Sequence, residues 1–457
     1  MLYFNVYQDT IAAISTPLGE GGIGIVRVSG PQALPILRQL YVDRRRLPVA
    51  RFTSHRLHYG FIVDPATAET VDEVLVSYMR APHTYTREDV VEINCHGGPL
   101  PLQRTLELTL AVGARLAQPG EMTLRAFLNG RLDLAQAEAV LDVIRAKTEA
   151  GLRVAMRGLG GQLSAQVKEL RARLMDALAY LTALIDFPED EVEAQDIFCT
   201  LQDGLTVLAG LLATADAGII YRQGVRAAIV GRPNVGKSSL LNCLLRDNRA
   251  IVTSVPGTTR DTLEEVVNIR GVPFVLIDTA GIRESDDLVE RLGVERSRTA
   301  LERADVALAV VDVSESLTIQ DRAVLSLLNG KPAVVVANKV DRGAVAKLSD
   351  PRWPVIYTST VTGQGLADLE RIMVEKALGG EVSSSDALLV SNPRHKDALH
   401  RASQHLAGAI ESLRSAMPAD FVSIDLTAAI NCLGEITGET VGEDLLETIF
   451  SNFCVGK

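Results

Sequence analysis

The sequence predicts a multidomain chain: an α/β N-terminal domain, an all-α helical domain contributed by two segments, and an inserted α/β domain built around a phosphate-binding loop. Three observations predict it. Residues 231–238 fit the pattern G-x-x-x-x-G-K-[ST], between an apolar run and a helical pattern. Stretches with apolar residues at helix spacing flank that unit on both sides. The first segment instead mixes short β-rich runs with one helical pattern.

The N-terminal domain is assigned residues 1–121. Ile23-Gly24-Ile25-Val26-Arg27-Val28, Val71-Asp72-Glu73-Val74-Leu75-Val76 and Val90-Val91-Glu92-Ile93 read as strands, and residues 102–112 read as a helix. Pro119-Gly120 then punctuates the chain. The first helical segment, residues 122–221, carries Leu132, Leu134, Ala137, Val140, Leu141 and Ile144 at helix spacing. Gly160-Gly161 breaks the pattern. It resumes through Leu163, Val167, Leu170, Leu174, Leu178 and Leu181, and an acidic turn follows at Phe187-Pro188-Glu189-Asp190-Glu191. The inserted domain is assigned residues 222–379. Residues 379–385 form a polar Gly/Ser-rich linker, and residues 380–457 complete the helical domain. Insertion requires the inserted unit's ends to lie close together, which is usual for compact domains. Two independent helical modules are the alternative arrangement.

The inserted unit carries an ordered set of motifs. The strand-like run Ala227-Ala228-Ile229-Val230 precedes Gly231-Arg232-Pro233-Asn234-Val235-Gly236-Lys237-Ser238, and Ser239-Leu240-Leu241-Asn242 begins a helix. Backbone N–H groups of such a loop close around phosphates, aided by the helix N-terminus. Lys237 is expected at the β/γ-phosphates and Ser238 on Mg²⁺. The segment Thr253-Ser254-Val255-Pro256-Gly257-Thr258-Thr259 follows, with Thr259 as a second magnesium ligand. Asp278-Thr279-Ala280-Gly281 ends the run Phe274-Val275-Leu276-Ile277, which puts Asp278 behind the metal's direct ligands. Asn338-Lys339-Val340-Asp341 ends the run Ala333-Val334-Val335-Val336, and an Asp at 341 accepts from guanine N1–H and its exocyclic amine. Adenine cannot match that pattern, and a site built on such hydrogen bonds rejects the wrong base strongly. Ser359-Thr360 closes the base pocket. Together these predict a Ras-like P-loop GTPase domain with GTP as substrate.

Composition narrows the partners. The hydrophobic share of 47% supports real cores, and the net charge of −11 excludes a generic polyanion binder. A nucleic-acid substrate would need a local basic patch or a basic partner. The five cysteines, at 95, 199, 243, 432 and 454, show no C-x-x-C spacing, which points to a reducing, cytoplasmic setting without a zinc site. No signal-peptide pattern opens the sequence, and no run reaches about 18 apolar residues, so no membrane span is expected. Cys454 holds the prenylation position, but Gly456 and Lys457 do not suit that motif.

Residue 282, after Asp278-Thr279-Ala280-Gly281, is Ile, where many GTPases place a Gln that orients the attacking water. Water positioning and charge stabilisation must come from elsewhere. Asn234 can offer its side-chain oxygen to a monovalent cation. Glu290 can reach a water from its segment, although a solvated helix charge reads equally well there. The catalytic candidates are therefore Glu290, Lys237 and Asn234.

At this point the sequence resembles the MnmE (TrmE) family of tRNA-modification GTPases over essentially its whole length. The resemblance rests on Asn234, Gly257-Thr258-Thr259-Arg260-Asp261 and the block 278–290. It also rests on Pro119-Gly120-Glu121, on residues 125–134 and on the terminal Phe453-Cys454-Val455-Gly456-Lys457. It implies that the N-terminal domain binds folate and dimerises, and that the discontinuous helical domain carries the GTPase. It implies a one-carbon site for 5-formyltetrahydrofolate or a related folate at Arg27, Glu92, Arg131 and Lys457. The family usually has Lys where Arg131 stands; charge is kept, but a planar fork replaces a point charge. It further implies K⁺ held by Asn234, Thr253, Val255 and Thr258. The implied assembly is a homodimer that joins an FAD-dependent MnmG/GidA-like protein in a heterotetramer. With it, GTP hydrolysis would help install a carboxymethylaminomethyl or aminomethyl group at C5 of the wobble uridine of certain tRNAs. A ribosome-assembly GTPase of the Era/EngA kind is the alternative, and the absence of a basic tail argues against it.

Overall fold

Alternation along the strands decides the N-terminal sheet. In β2, Gly21–Ser29, Val26 and Val28 are fully buried while Arg27 between them is not. In β6, Val90–Gly97, Val91, Ile93 and Cys95 are buried and Glu92 lies on the opposite face. The computed structural model describes residues 9–187, 195–248, 265–277, 298–346, 348, 351–380 and 390–457. They fall into two units, residues 1–141 with 437–457, and residues 142–436.

In the first unit β1 (Ile11–Ile14), β3 (Tyr41–Asp43), β4 (Arg56–Val63), β5 (Thr70–Met79) and β7 (Arg115–Leu116) join β2 and β6 in a seven-stranded sheet. The order is β3-β4-β5-β6-β2-β1-β7, antiparallel throughout except for the β1–β7 pair. Helices Ala33–Leu40 and Pro99–Ala111 cover the apolar face, where Leu37, Leu40 and Leu102 pack with Val26, Val76 and Ile93. A second cluster joins Leu134 and Leu141 of helix Leu134–Arg145 to Ile449, Phe450 and Phe453 near the C-terminus. The last residues of the chain thus belong with its first domain.

The second unit contains a six-stranded sheet in the order β13-β12-β11-β8-β10-β9. Its strands are β8 (Val225–Val230), β9 (Glu265–Ile269), β10 (Val272–Ile277), β11 (Val306–Asp312), β12 (Ala333–Asn338) and β13 (Val355–Tyr357). β9 and β10 form the antiparallel pair, and the other pairings are parallel. Every residue of β11 and β12 is buried, as expected for parallel strands covered on both faces. Leu308, Val334 and Val336 pack with Leu240, Leu369 and Met373 on one side; Val335 and Ala309 pack with Leu328 and Trp353 on the other.

Helices Gln162–Asp186, Ile197–Ala213 and Pro393–Arg414 pack together, although the sheet domain separates the last from the first two in sequence. Gly204 permits this: a Cβ at that position would lie 3.1 Å from both Leu170 and Leu406 side chains. Residues 197–223 are apolar enough, by length and composition, to cross a membrane, yet Asp203 and Asp216 interrupt them, so the run of about 18 apolar residues that the sequence was expected to lack is absent there. They are two helices, Ile197–Ala213 and Ala215–Gln223, meeting at Thr214.

Candidate functional site

β8 delivers the chain to the phosphate loop, and helix Lys237–Asn248 receives it. Asn234 sits at φ +61°, in the left-handed region that asparagine tolerates better than most side chains. Gly236 is at φ +101°, and a Cβ there would fall 2.2 Å from Asn338 Nδ2. The motif's second glycine is thus required by backbone conformation and by a close approach. Lys237 Nζ donates to the carbonyls of Gly231 at 2.9 Å and Arg232 at 2.7 Å. Burial, with the Arg232 charge adding to it, lowers the Lys237 pKa. An arriving polyphosphate would offset both penalties. Val235 is buried, while Ser238 and Ser239 are exposed in the helix's first turn.

The Asn338-Lys339-Val340-Asp341 motif is tied directly to this loop. Asn338 Nδ2 donates to the Val235 carbonyl at 2.9 Å, and Lys339 Nζ donates to the Asn234 carbonyl at 2.7 Å. Lys339 Nζ also donates to Asp312 Oδ2 at 2.6 Å. Burial alone would raise the Asp312 carboxyl, but hydrogen bonds from Lys339 and Ser314 hold it below its ordinary value. Ser359 Oγ donates to Asp341 Oδ1 at 2.6 Å and accepts from the N–H groups of Val361 and Thr362. The Thr360 carbonyl accepts from Cys243 Sγ at 3.4 Å. Asn234, Val235, Gly236, Lys237, Asn338, Lys339, Asp341 and Ser359 therefore share one connected end of the sheet.

Sequence reasoning missed Asp312 and the clamp on Arg232. Asp312 ends β11 in register with Asn338, so a polar residue closing an all-apolar strand was the available signal. Arg232 Nε lies 3.2 Å from both Asp321 carboxylate oxygens, and its Nη2 donates to Glu315 at 2.9 Å. Nothing in their spacing announces that link. Thr253, Ser254, Val255, Pro256, Gly257, Thr258, Thr259, Asp278, Thr279, Ala280, Gly281 and Glu290 lie outside the described residues.

In the first unit, Arg27 and Glu92 are directly paired in register, with Arg27 Nη2 2.8 Å from Glu92 Oε1. The chain's end comes to this pair. Arg27 Nη1 donates to the Gly456 carbonyl at 3.3 Å, and Ser15 Oγ donates to the same oxygen at 3.1 Å. The Met122 and Gly120 N–H groups donate to the Lys457 and Cys454 carbonyls at 3.2 and 3.3 Å. Burial and the Arg27 charge lower the Lys457 pKa, against the opposing pull of Cys454 and Glu92. Cys454 itself is exposed. Three of the four expected residues, Arg27, Glu92 and Lys457, are thus brought together. The fourth, Arg131, stacks its guanidinium 4.7 Å from the Tyr85 ring centroid and donates to the Tyr85 carbonyl at 3.2 Å. Burial raises the Tyr85 pKa; a hydrogen bond with Thr123 and the charges of Arg131 and Arg27 pull it back. Tyr85 therefore sits within electrostatic reach of both arginines.

A buried ionic network supports this corner. Arg125, 1% exposed, meets Asp9 at 2.6 Å, Glu121 at 3.0 Å and Glu88 at 3.2 Å. Arg115 meets the same Glu121 at 2.6 Å. Glu121 stands beside Met122, which holds the terminal carbonyl.

Comparison with known proteins covers the whole chain. Family models described as "GTP-binding protein TrmE N-terminus" and "MnmE helical domain" match residues 10–131 and 134–454. The tRNA modification GTPase MnmE of Chloroflexus aurantiacus is 54% identical over 455 residues, covering 98% of this chain and 100% of that protein. The protein of the same name from Roseiflexus castenholzii is 53% identical over 468 residues, covering 99% and 100%. Among solved structures, the G domain of the T. maritima FeoB iron transporter is 28% identical, covers 34% of this chain and 98% of that chain, and has a TM-score of 0.25.

Proposed function

The chain belongs to the MnmE family of tRNA modification GTPases, and from that premise we propose that its GTP hydrolysis drives a folate-dependent change at the wobble uridine of certain tRNAs. The observation that carries the nucleotide half is the double tie between the base-reading motif and the phosphate loop. Asn338 and Lys339 donate to the carbonyls of Val235 and Asn234. Base recognition at Asp341 and phosphate binding at Lys237 are thereby held at a fixed span, so the correct base registers the phosphates.

The exposed Ser238 hydroxyl beside the loop suits a hard divalent cation, and Ser238 with Thr259 would hold Mg²⁺. When bound, magnesium neutralises charge on the β- and γ-phosphate oxygens. Asn234 is exposed on a left-handed turn of the loop, which suits a monovalent ion, and Asn234, Thr253, Val255 and Thr258 would hold K⁺. When bound, potassium adds positive charge where the transition state is most negative. Lys237 orients the phosphates, Asp341 selects guanine, and Glu290 positions the attacking water.

The juxtaposition of Arg27, Glu92 and Lys457 supports the folate reading. A pterin edge and a glutamate tail call for mixed donors, acceptors and cations. We assign the carbon transfer to a complex with a flavoprotein partner of the MnmG/GidA kind, in which this chain is a homodimer in the cytoplasm. Mass spectrometry of tRNA nucleosides from a deletion strain tests the proposal. Loss of the aminomethyl-type wobble uridine, restored by the wild-type gene and not by Asp341→Asn, is expected. An unchanged nucleoside profile would reject it.

A further inference from the structure

Beside the Arg131–Tyr85 stack lies an open groove of about 440 Å³, a volume typical of small-molecule clefts. Met79 and Pro82 supply apolar wall; His83, Tyr85, Arg87 and Arg131 supply its polar side. None of the residues lining it is acidic, and two are arginines, so the groove is locally cationic in a chain of net charge −11.

The two arginines are held in place by their surroundings. Arg87 Nη1 donates to the Asn129 carbonyl at 2.9 Å, and Asn129 Nδ2 donates back to the Thr86 carbonyl at 2.6 Å. This reciprocal pair pins the turn carrying Arg87 to the end of helix Glu121–Leu128. Arg87 itself takes φ +61°, an uncommon conformation for a long side chain. Arg131 is held by its stack and by the Tyr85 carbonyl. Each guanidinium has five N–H donors and spends one on these contacts, so planar forks remain for carboxylate groups. Tyr85, which lines the groove under the Arg131 guanidinium, is itself fixed by a 2.9 Å hydrogen bond between its hydroxyl and that of Thr123.

We propose that this groove is a subsite for the γ-glutamyl extension of a folate polyglutamate, with Arg87 and Arg131 receiving its carboxylates. The inference rests on the folate reading above and extends it from the ring site to the tail. A flexible polycarboxylate matches a small cationic groove with apolar wall. A tRNA backbone does not, because nucleic-acid affinity is built from many phosphate contacts spread over a wide surface.

Calorimetry on the full-length chain tests this, with 5-formyltetrahydrofolate carrying one or four glutamates. The wild type is expected to bind the longer form about three- to tenfold more tightly, as two partly exposed ion pairs would give. That gain should shrink as salt rises. Arg87→Gln should lose the gain and keep monoglutamate affinity. Arg87→Lys, which retains charge but not the fork, should keep part of it. Equal affinity for the two forms, with monoglutamate binding intact, would overturn the subsite and leave the folate reading standing. Absence of binding by either form would reject the folate reading and the subsite with it. Arg87→Gln that lowers tRNA binding and leaves the polyglutamate gain unchanged would reassign the groove to nucleic acid.

Discussion

Arg27 and Gly456, at opposite ends of the sequence, are joined by a hydrogen bond of 3.3 Å from Arg27 Nη1 to the Gly456 carbonyl. The bond fixes the position of Lys457 by holding its backbone rather than its side chain. The terminal segment is further held by the N–H groups of Gly120 and Met122. The end of the chain is thus built into the corner around Arg27 and Glu92.

Deleting residues 455–457 should therefore weaken folate binding strongly while GTP hydrolysis continues. The deletion removes the Lys457 ammonium and the Gly456 carbonyl that Arg27 holds, and it removes no residue of the phosphate loop. Calorimetry with a folate and a phosphate-release assay on the same preparation check both halves. Undiminished folate affinity in the truncated chain would remove the terminal residues from the site.

Asp341→Asn should weaken GTP binding by about 1–3 kcal/mol, the cost of leaving donors of the base without a paired acceptor. The Ser359 hydroxyl donates to Asp341 Oδ1 at 2.6 Å and so orients the carboxylate, while acceptor sites on both oxygens remain for the base. Ser359→Ala should therefore have a smaller effect in the same direction. Fluorescent-nucleotide titration of both variants tests the order. A Ser359→Ala loss exceeding that of Asp341→Asn would reverse the roles.

His96 Nδ1 lies 2.6 Å from Asp72 Oδ1, and Asp72 Oδ2 accepts the His96 N–H. The hydrogen bond to Asp72, with that carboxylate's charge, raises the exposed imidazole's pKa. The folded state thus binds the proton more tightly than the unfolded chain. The stabilising contribution is full below the unfolded value of about 6.5 and is lost as pH rises through the folded value. Asp72→Asn should bring the His96 pKa back toward its ordinary value. An NMR titration of the His96 ring, identified by comparison with His96→Gln, measures it. A titration midpoint unaffected by Asp72→Asn would dismiss the pair.

Much of this architecture is legible in the sequence because hydrophobic period and motif coincide there. The runs at 227–230, 274–277 and 333–336 lie inside β8, β10 and β12, each ending in a motif that only makes sense at a strand's C-terminal end. Gly160-Gly161 falls between two helices, with Gly161 at φ +76°. β1 and β4 escape notice for different reasons. β1 is Ile11-Ala12-Ala13-Ile14, too short and too uniformly buried to alternate. β4 interleaves Arg56, His58 and Gly60 with Leu57, Tyr59 and Phe61, and leaves Leu57 and Tyr59 exposed, so its pattern looks polar. At the site, motif residues were legible and their supports were not. The Arg131–Tyr85 stack depends on the turn at residues 82–88 meeting the end of helix Glu121–Leu128, and no local spacing encodes that meeting. The Arg125 network is equally non-local, drawing on Asp9, Glu88 and Glu121.

Hydrolysis without the usual water-orienting amide must be switched on by other means, since residue 282 is Ile. No arginine in the adjacent sequence is an evident internal finger. Asn234 presents an exposed side chain on the phosphate loop, while its carbonyl is engaged by Lys339 Nζ at 2.7 Å. The main chain at Asn234 is therefore fixed, and its side-chain oxygen remains the group to offer a cation. A potassium ion shared with Thr253, Val255 and Thr258 would place charge where an arginine finger acts, stabilising negative charge as it develops between the β- and γ-phosphates. Sodium is smaller and would not satisfy the same span of oxygens. Two GTPase domains meeting across a homodimer would order that ligand set and bring Glu290 toward the water. Hydrolysis should then be faster in potassium than in sodium without a separate activating protein. Asn234→Ala should abolish the difference. Glu290→Ala should cut the rate by about 100-fold or more, as expected on losing a water-positioning group, while GTP still binds. Phosphate release measured in both salts for the three proteins tests the scheme. Equal wild-type rates in potassium and sodium would reject the cation role, and an active Glu290→Ala would return Glu290 to a solvated surface charge.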